Sequence, residues 1–124
     1  MSDDVNFCSA RKIEEVDPDK YEDFSRILGV LGNKSRIAIL DIISKYGSVC
    51  SCELQPALGL PQPTATAHLL KMYEVGLLKR REEWKFSYYF INPRYESLVR
   101  QILSPNSNRK KEVSSRGTGK RVSL

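Results

Sequence analysis

Apolar positions along the chain fall into helical and strand periods separated by clear breaks. Phe24, Ile27, Leu28 and Leu31 stand at i, i+3, i+4 and i+7, which is one face of a helix. Pro18 is placed to open that helix, since a first helical turn does not need its amide. Gly32-Asn33 interrupts the pattern, and Asn33 suits the N-cap of a second helix. Between Arg36 and Ser44, with Ile37, Leu40 and Ile43, apolar residues run nearly all round. That predicts a helix at the centre of the core. Tyr46-Gly47-Ser48 reads as a turn. Cys52 to Leu58 predicts a short third helix closed by Gly59. Pro61 to Val75 predicts a fourth, with Ala65, Leu69, Met72 and Val75 facing inward and Gly76 as its stop. Residues 77–81 and 86–91 read as two strands around a turn from Glu82 to Lys85. Phe86, Tyr88 and Phe90, alternating with Ser87, Tyr89 and Ile91, read as core rather than as stacking platforms. Tyr95, Leu98, Val99 and Ile102 repeat the helical spacing and predict a last helix.

The expected fold is therefore mainly α with a small β-hairpin, in the order α-α-α-α-β-β-α. Two short helices joined by Gly59-Leu60-Pro61 have the size of a helix-turn-helix, and a hairpin directly after the second is a wing. The alternative is a generic small α+β domain. Three parts are expected: an N-terminal arm over residues 1–17, a winged helix-turn-helix domain over 18–103, and a disordered basic tail over 104–124, where Ser, Gly, Arg and Lys dominate.

Charge adds a partner to this picture. The net charge is +5, but residues 1–32 carry eight acids and four bases, whereas residues 61–124 carry thirteen bases and five acids. A basic C-terminal half suggests a polyanion. The tail alone carries six of those bases, so a merely solubilising role is the competing reading. No run of about 18 apolar residues suggests a membrane span. The start lacks the apolar stretch of a secretory signal, so a cytoplasmic protein is expected. Catalysis is not expected: the chain has one histidine, no Gly-rich phosphate loop and no nucleophile with a base at plausible spacing. Three cysteines, Cys8, Cys50 and Cys52, argue against a disulfide framework and leave metal, metalloid or redox chemistry, or inert thiols.

Four segments in register resemble the ArsR-type metal- and metalloid-responsive repressors. They are Leu31-Gly32-Asn33-Lys34-Ser35-Arg36-Ile37-Ala38-Ile39-Leu40, Cys50-Ser51-Cys52-Glu53-Leu54, Gln62-Pro63-Thr64-Ala65-Thr66-Ala67-His68-Leu69 and Glu74-Val75-Gly76-Leu77-Leu78. The second is similar to the Cys-x-Cys-acid-Leu signature of arsenic and cadmium/lead sensors, and the third to the family's recognition helix. The resemblance implies a homodimer built from the first and last helices, and promoter binding that a ligand relieves. The stripes at 24–31 and 95–102 agree with that, or are ordinary monomer core.

On the recognition helix, Gln62, Thr64, Thr66, His68 and Lys71 lie off the apolar stripe and are candidates for DNA contact. A structural role is the competing reading of His68. Ala67 and Leu70 stand where relatives often carry polar or basic residues. In the wing, Arg80, Arg81 and Lys85 are candidates for phosphate or the minor groove, diluted by Glu82 and Glu83. A two-fold dimer would meet half-sites about 34–36 Å apart on double-stranded DNA, in an imperfect inverted repeat.

Thiolates select soft ions. Trivalent arsenic or antimony takes three sulfurs, and cadmium or lead also accepts thiolate-rich shells, so Cys50, Cys52 and Cys8 form the candidate ligand set. No resident cofactor is called for. On a regular helix i and i+2 point about 200° apart, so the pair requires a non-helical start to the third helix, where Pro56 withholds an amide. A helix start is also expected to lower a thiol pKa. Zinc is disfavoured by the single histidine. A redox-switched repressor and a winged-helix module that binds protein are the alternative functions.

Overall fold

The computed structural model describes residues 11–104. Residues 1–10, with Cys8, and residues 105–124 of the expected tail lie outside it. Five α-helices and a two-stranded antiparallel hairpin follow one another in the expected order. They are α1 (Glu22–Val30), α2 (Lys34–Tyr46), α3 (Ser51–Leu58), α4 (Gln62–Glu74), β1 (Leu78–Glu83), β2 (Phe86–Ile91) and α5 (96–104). No helix among the described residues is long and apolar enough to cross a membrane.

Local chemistry accounts for most of the boundaries. Asn33 has extended backbone, and its Oδ1 accepts the amides of Ser35 and Arg36 at 2.9 and 3.1 Å, the N-cap that starts α2. Gly59 closes α3 in the left-handed conformation, where a Cβ would be strained. Pro18 opens a 3-10 turn (Pro18–Tyr21) rather than α1 itself. The Asp17 carboxylate ties the Asp19 amide into that turn, and the α-helix begins only at Glu22. The hairpin is tighter than its sequence suggests. Glu82 pairs with Ser87 and Glu83 with Phe86, so both acids belong to β1 and only Trp84-Lys85 turn. The Ser87 hydroxyl donates to the Glu82 carboxylate, at 2.8 and 3.0 Å from its two oxygens, which holds this pairing.

The core gathers Ile27 from α1, Ile39, Leu40 and Ile43 from α2, Leu54 from α3, Leu69 and Met72 from α4, Leu77 and Leu78 beside the first strand, and Val99 from α5. Each such side chain contributes about 1.5–3 kcal/mol by leaving water. The two stripes at 24–31 and 95–102 are divided between uses. Ile27, Leu31 and Val99 are buried, while Phe24 and Leu28 stay 44% and 48% exposed and Tyr95, Leu98 and Ile102 are half-buried. In the hairpin it is Tyr89 that is buried, whereas Phe86 is exposed and Tyr88 and Phe90 are half-buried.

Two polar devices seat the elements that flank the hairpin. Asn92 donates Nδ2 to the Gly76 carbonyl at 2.8 Å and its amide to the Leu77 carbonyl at 3.0 Å, stapling the exit of β2 to the end of α4. Beneath α4, Arg36 of α2 donates Nε to His68 Nδ1 at 3.1 Å and Nη1 to the Val30 carbonyl at 3.2 Å. Three helices are thereby tied through one guanidinium. Burial, and then the neighbouring Arg36 charge, lower the His68 pKa below its ordinary 6.5.

Two predictions follow from this packing. Asn33→Ala removes the acceptor for two amides and is expected to lower the unfolding free energy by about 1 kcal/mol in urea titrations. For His68 the folded state disfavours the proton, so its stabilisation is complete above pH 6.5 and is lost as pH falls through the lowered folded-state value. Because His68 is the sole histidine, the unfolding midpoint should fall as pH drops from about 7 to about 5. The same titration on His68→Gln, whose amide oxygen still accepts from Arg36, should flatten that dependence.

Candidate DNA interface and cysteine pair

The open face of α4 is narrower than its polar residues suggest. Thr64 and Lys71 are exposed together with Pro63 and Ala67, at spacings of three, four and seven residues that line one side of a helix. Thr66 and His68 lie on the flanks, half-buried, and Nδ1 of His68 is taken by Arg36. Only Nε2–H of a neutral His68 ring then remains to donate outward. Gln62 sits at the first turn, where its Nε2 donates to Ser51 Oγ of α3 at 3.3 Å. The N-cap is Pro61, which offers no side-chain acceptor, so the first amides of α4 are uncapped by any side chain. Such amides favour an anion.

The basic residues of the wing divide between its two faces, as alternation along a strand requires. The Arg80 guanidinium lies over the Tyr73 ring of α4 at 4.5 Å and the Tyr89 ring at 5.9 Å. It also donates to the Tyr89 hydroxyl at 3.4 Å and pairs with Glu82 at 3.5 Å. Tyr73 and Tyr89 meet edge to face, 6.2 Å between centroids. Arg80 therefore fills the seam between α4 and the wing. Arg81 lies on the opposite face, over the Tyr88 ring at 5.3 Å, with Glu83 at 3.3 Å and Ser48 Oγ at 3.5 Å. Lys85 stands at the tip, 5.3 Å from the centre of the Trp84 ring.

Cys50 is the N-cap of α3, with extended backbone (φ −106°, ψ 163°), and Cys52 is in the first helical turn. This is the non-helical start that the i, i+2 spacing requires. Cys50 is buried and Cys52 exposed. Glu53 completes a capping box: its Oε1 accepts the Cys50 amide at 3.0 Å while its own amide faces the Cys50 sulfur. The expectation of a lowered pKa is corrected for Cys50. Burial and the Cys52 thiol push it up, and the Glu53 amide offsets them only in part. Among the described residues no group of three His, Cys, Asp or Glu side chains is placed to hold a metal ion. The pair supplies two sulfurs, and Cys8 lies outside the described residues.

The immediate neighbours of Cys50 lead to both halves of the candidate surface, α4 and the wing. Val49 and Tyr89 form an antiparallel bridge, with the Val49 amide donating to the Tyr89 carbonyl at 3.0 Å and the Tyr89 amide to the Val49 carbonyl at 2.8 Å. On the other side, Ser51 accepts from Gln62 of α4. Tyr88 of the wing also feels the pair: its phenol pKa is raised by burial and then by Cys50, Glu53, Glu83 and Cys52. Val49, Ser51 and Tyr88 carry no motif that marks them in the sequence. The alternating aromatic run in the second strand was the available signal for Tyr88.

Comparison with known proteins places this architecture. The profile of the bacterial regulatory protein arsR family matches residues 33–80, from the cap of α2 into β1. An uncharacterized HTH-type transcriptional regulator of Methanocaldococcus jannaschii is 33% identical over 86 residues, 68% of this chain and 96% of that protein. An arsenical resistance operon repressor of Staphylococcus xylosus is 31% identical over 83 residues, 67% of this chain and 79% of that one. The homodimeric winged helix-turn-helix DNA-binding domain Mb0332 of Mycobacterium bovis, 23% identical, superposes with a TM-score of 0.61 over 82% of this chain and 92% of that one. With the fold, the segment order and these relatives in agreement, the chain belongs to the ArsR family of winged helix-turn-helix, DNA-binding transcriptional repressors and is not an enzyme.

Proposed function

We propose that this chain is a cytoplasmic, homodimeric repressor released from its operator when trivalent arsenic or antimony is captured by cysteine thiolates. Cadmium or lead is the softer-shell alternative ion. The observation that carries this reading is the position of Cys50. It caps α3 between a residue bonded to the wing, Val49, and a residue bonded to the recognition helix, Ser51. Cys50 and Cys52 would bind the ion, with Cys8 of the 1–17 arm as third sulfur. Soft thiolates suit these ions, and binding must displace the protons that burial now favours on Cys50.

Residues 18–103 serve as the DNA-binding and dimerisation domain, and the 104–124 segment adds positive charge. The outward Phe24 and Leu28 on α1, with the half-buried Leu98 and Ile102 on α5, support a second copy as the cover for those faces. Thr64 and Lys71 face the major groove, with Gln62 and the uncapped amides of α4 at a phosphate. Thr66 and His68 border that face. Arg81 and Lys85 reach phosphate from the wing, and Arg80 holds the wing's angle to α4. Drawing both sulfurs onto one ion pulls the Cys50 sulfur from the Glu53 amide. The pull reaches the wing through Val49–Tyr89 and α4 through Ser51–Gln62, so the spacing of the two reading heads changes. Linkage requires DNA to weaken ion binding by the same factor.

Two measurements test the reading. Arsenite should lower the affinity of the wild-type chain for a duplex selected from a random-sequence pool by about tenfold or more, read by anisotropy of the labelled DNA. Cys50→Ser with Cys52→Ser should bind that duplex normally and stay bound, whereas equal release of this variant would remove the thiols from the mechanism. Lys71→Ala should lessen the slope of log affinity against log salt by about two, one phosphate per subunit. An unchanged slope would take Lys71 off the interface.

A further inference from the structure

The wing tip carries a feature that neither the core nor the cysteine pair explains. Trp84, the chain's one tryptophan, is 88% exposed, the most open of the large apolar side chains in the described residues. Its backbone is left-handed, with φ of 60°, and it is the sole described residue other than glycine with positive φ. It occupies the first position of the two-residue turn that joins Glu83 to Phe86. There a positive φ is ordinarily supplied by glycine, and a bulky side chain is an outlier. A single exposed apolar residue is unremarkable by itself. An indole held outward on a backbone conformation that disfavours it, at the apex of a protruding hairpin, requires another account.

The charges around Trp84 indicate what it meets. The two acids are drawn back toward the base of the hairpin, Glu82 onto Arg80 and the Ser87 hydroxyl, Glu83 onto Arg81. What remains at the apex is an indole with the Lys85 ammonium against its ring. An apolar plate beside a cation is suited to a surface that offers stacked bases between phosphates. The hairpin reaches about 10 Å from the Val49–Tyr89 bridge to its last strand residue, Phe86, counting three residues of extended chain, and the Trp84-Lys85 turn projects beyond that. Its base abuts the recognition helix through Tyr73, Arg80 and Tyr89. With α4 in a major groove, a tip projecting from beside that helix is directed toward the flanking backbone and the adjoining minor groove.

We propose that Trp84 is an aromatic wedge that the wing presents to the minor groove of duplex DNA, partly inserted at a base step flanking the major-groove half-site, with Lys85 on the neighbouring phosphate. This rests on the DNA-binding reading of α4 and adds to it a contact read through the deformability of the step rather than through base edges. Flexible pyrimidine–purine steps are the favoured class, because they unstack most easily.

Because Trp84 is the one tryptophan, its fluorescence reports on this contact alone. The full chain is titrated with a labelled duplex selected from a random-sequence pool, following label anisotropy and indole emission together. Saturation of the anisotropy accompanied by strong quenching of the indole is the expected result. Trp84→Gly should weaken binding about tenfold, the loss of one stacked base, while its thermal unfolding midpoint stays level or rises because glycine relieves the turn. Trp84→Phe should retain most of the affinity. Saturating anisotropy with unchanged emission, or wild-type affinity in Trp84→Gly, overturns the wedge and leaves DNA binding by α4 standing. An anisotropy that never saturates with any selected duplex instead overturns the DNA-binding reading beneath it.

Discussion

Two hydrogen bonds between Val49 and Tyr89 hold the reading surface together. A hairpin of two strands is marginal in water by itself. Here a single bridged residue lends it a third strand, and the buried Tyr89 ring anchors it against Tyr73 of the recognition helix. This bridge adds to the Arg80 seam and the Asn92 staple in fixing the wing beside α4. Cys50 follows Val49 directly, so the candidate thiol and the bridge to the wing are neighbours in the chain. The capping box of Glu53 goes with an extended backbone at Cys50, at the start of α3.

Arginine does much of the internal bracing. Arg36 ties α1, α2 and α4 through the Val30 carbonyl and His68, and Arg80 fills the seam between α4 and the wing. A planar guanidinium can stack on a ring and donate along its edge at once, which a lysine ammonium cannot do. Cations spent in this way are only partly available to a polyanion. Lys71 and Lys85 are exposed, and Arg81 is exposed while lying over Tyr88 and pairing with Glu83.

Much of this was legible in the sequence. The 3.6-residue spacing of Ile27, Leu31, Leu69, Met72 and Val99, the cap at Asn33 and the stops at Gly59 and Gly76 are local signals, and the structure uses them as local physics requires. The Cys50–Cys52 spacing also pointed to a non-helical residue at the start of α3, and Cys50 has extended backbone there. The misjudged features depended on partners distant in the chain. Glu82 and Glu83 look like turn residues until Ser87 and Phe86 are placed opposite them. That the Arg80 guanidinium lies over the Tyr73 ring has no local signal either. Nor has the bond that Arg36, thirty-two residues earlier, donates to His68. Trp84 gave no turn signal at all, since no local rule puts tryptophan at positive φ.

By itself, then, the sequence determined the order and type of the elements, their caps, and the identity of the candidate ligands, because periodicity, capping and side-chain chemistry act over a few residues. Tertiary structure alone decided which polar groups face outward and which brace the interior, and which neighbours of Cys50 reach the helix and the wing. Burial, stacking and cross-strand pairing are settled only when residues far apart in the chain are brought to within a few ångströms.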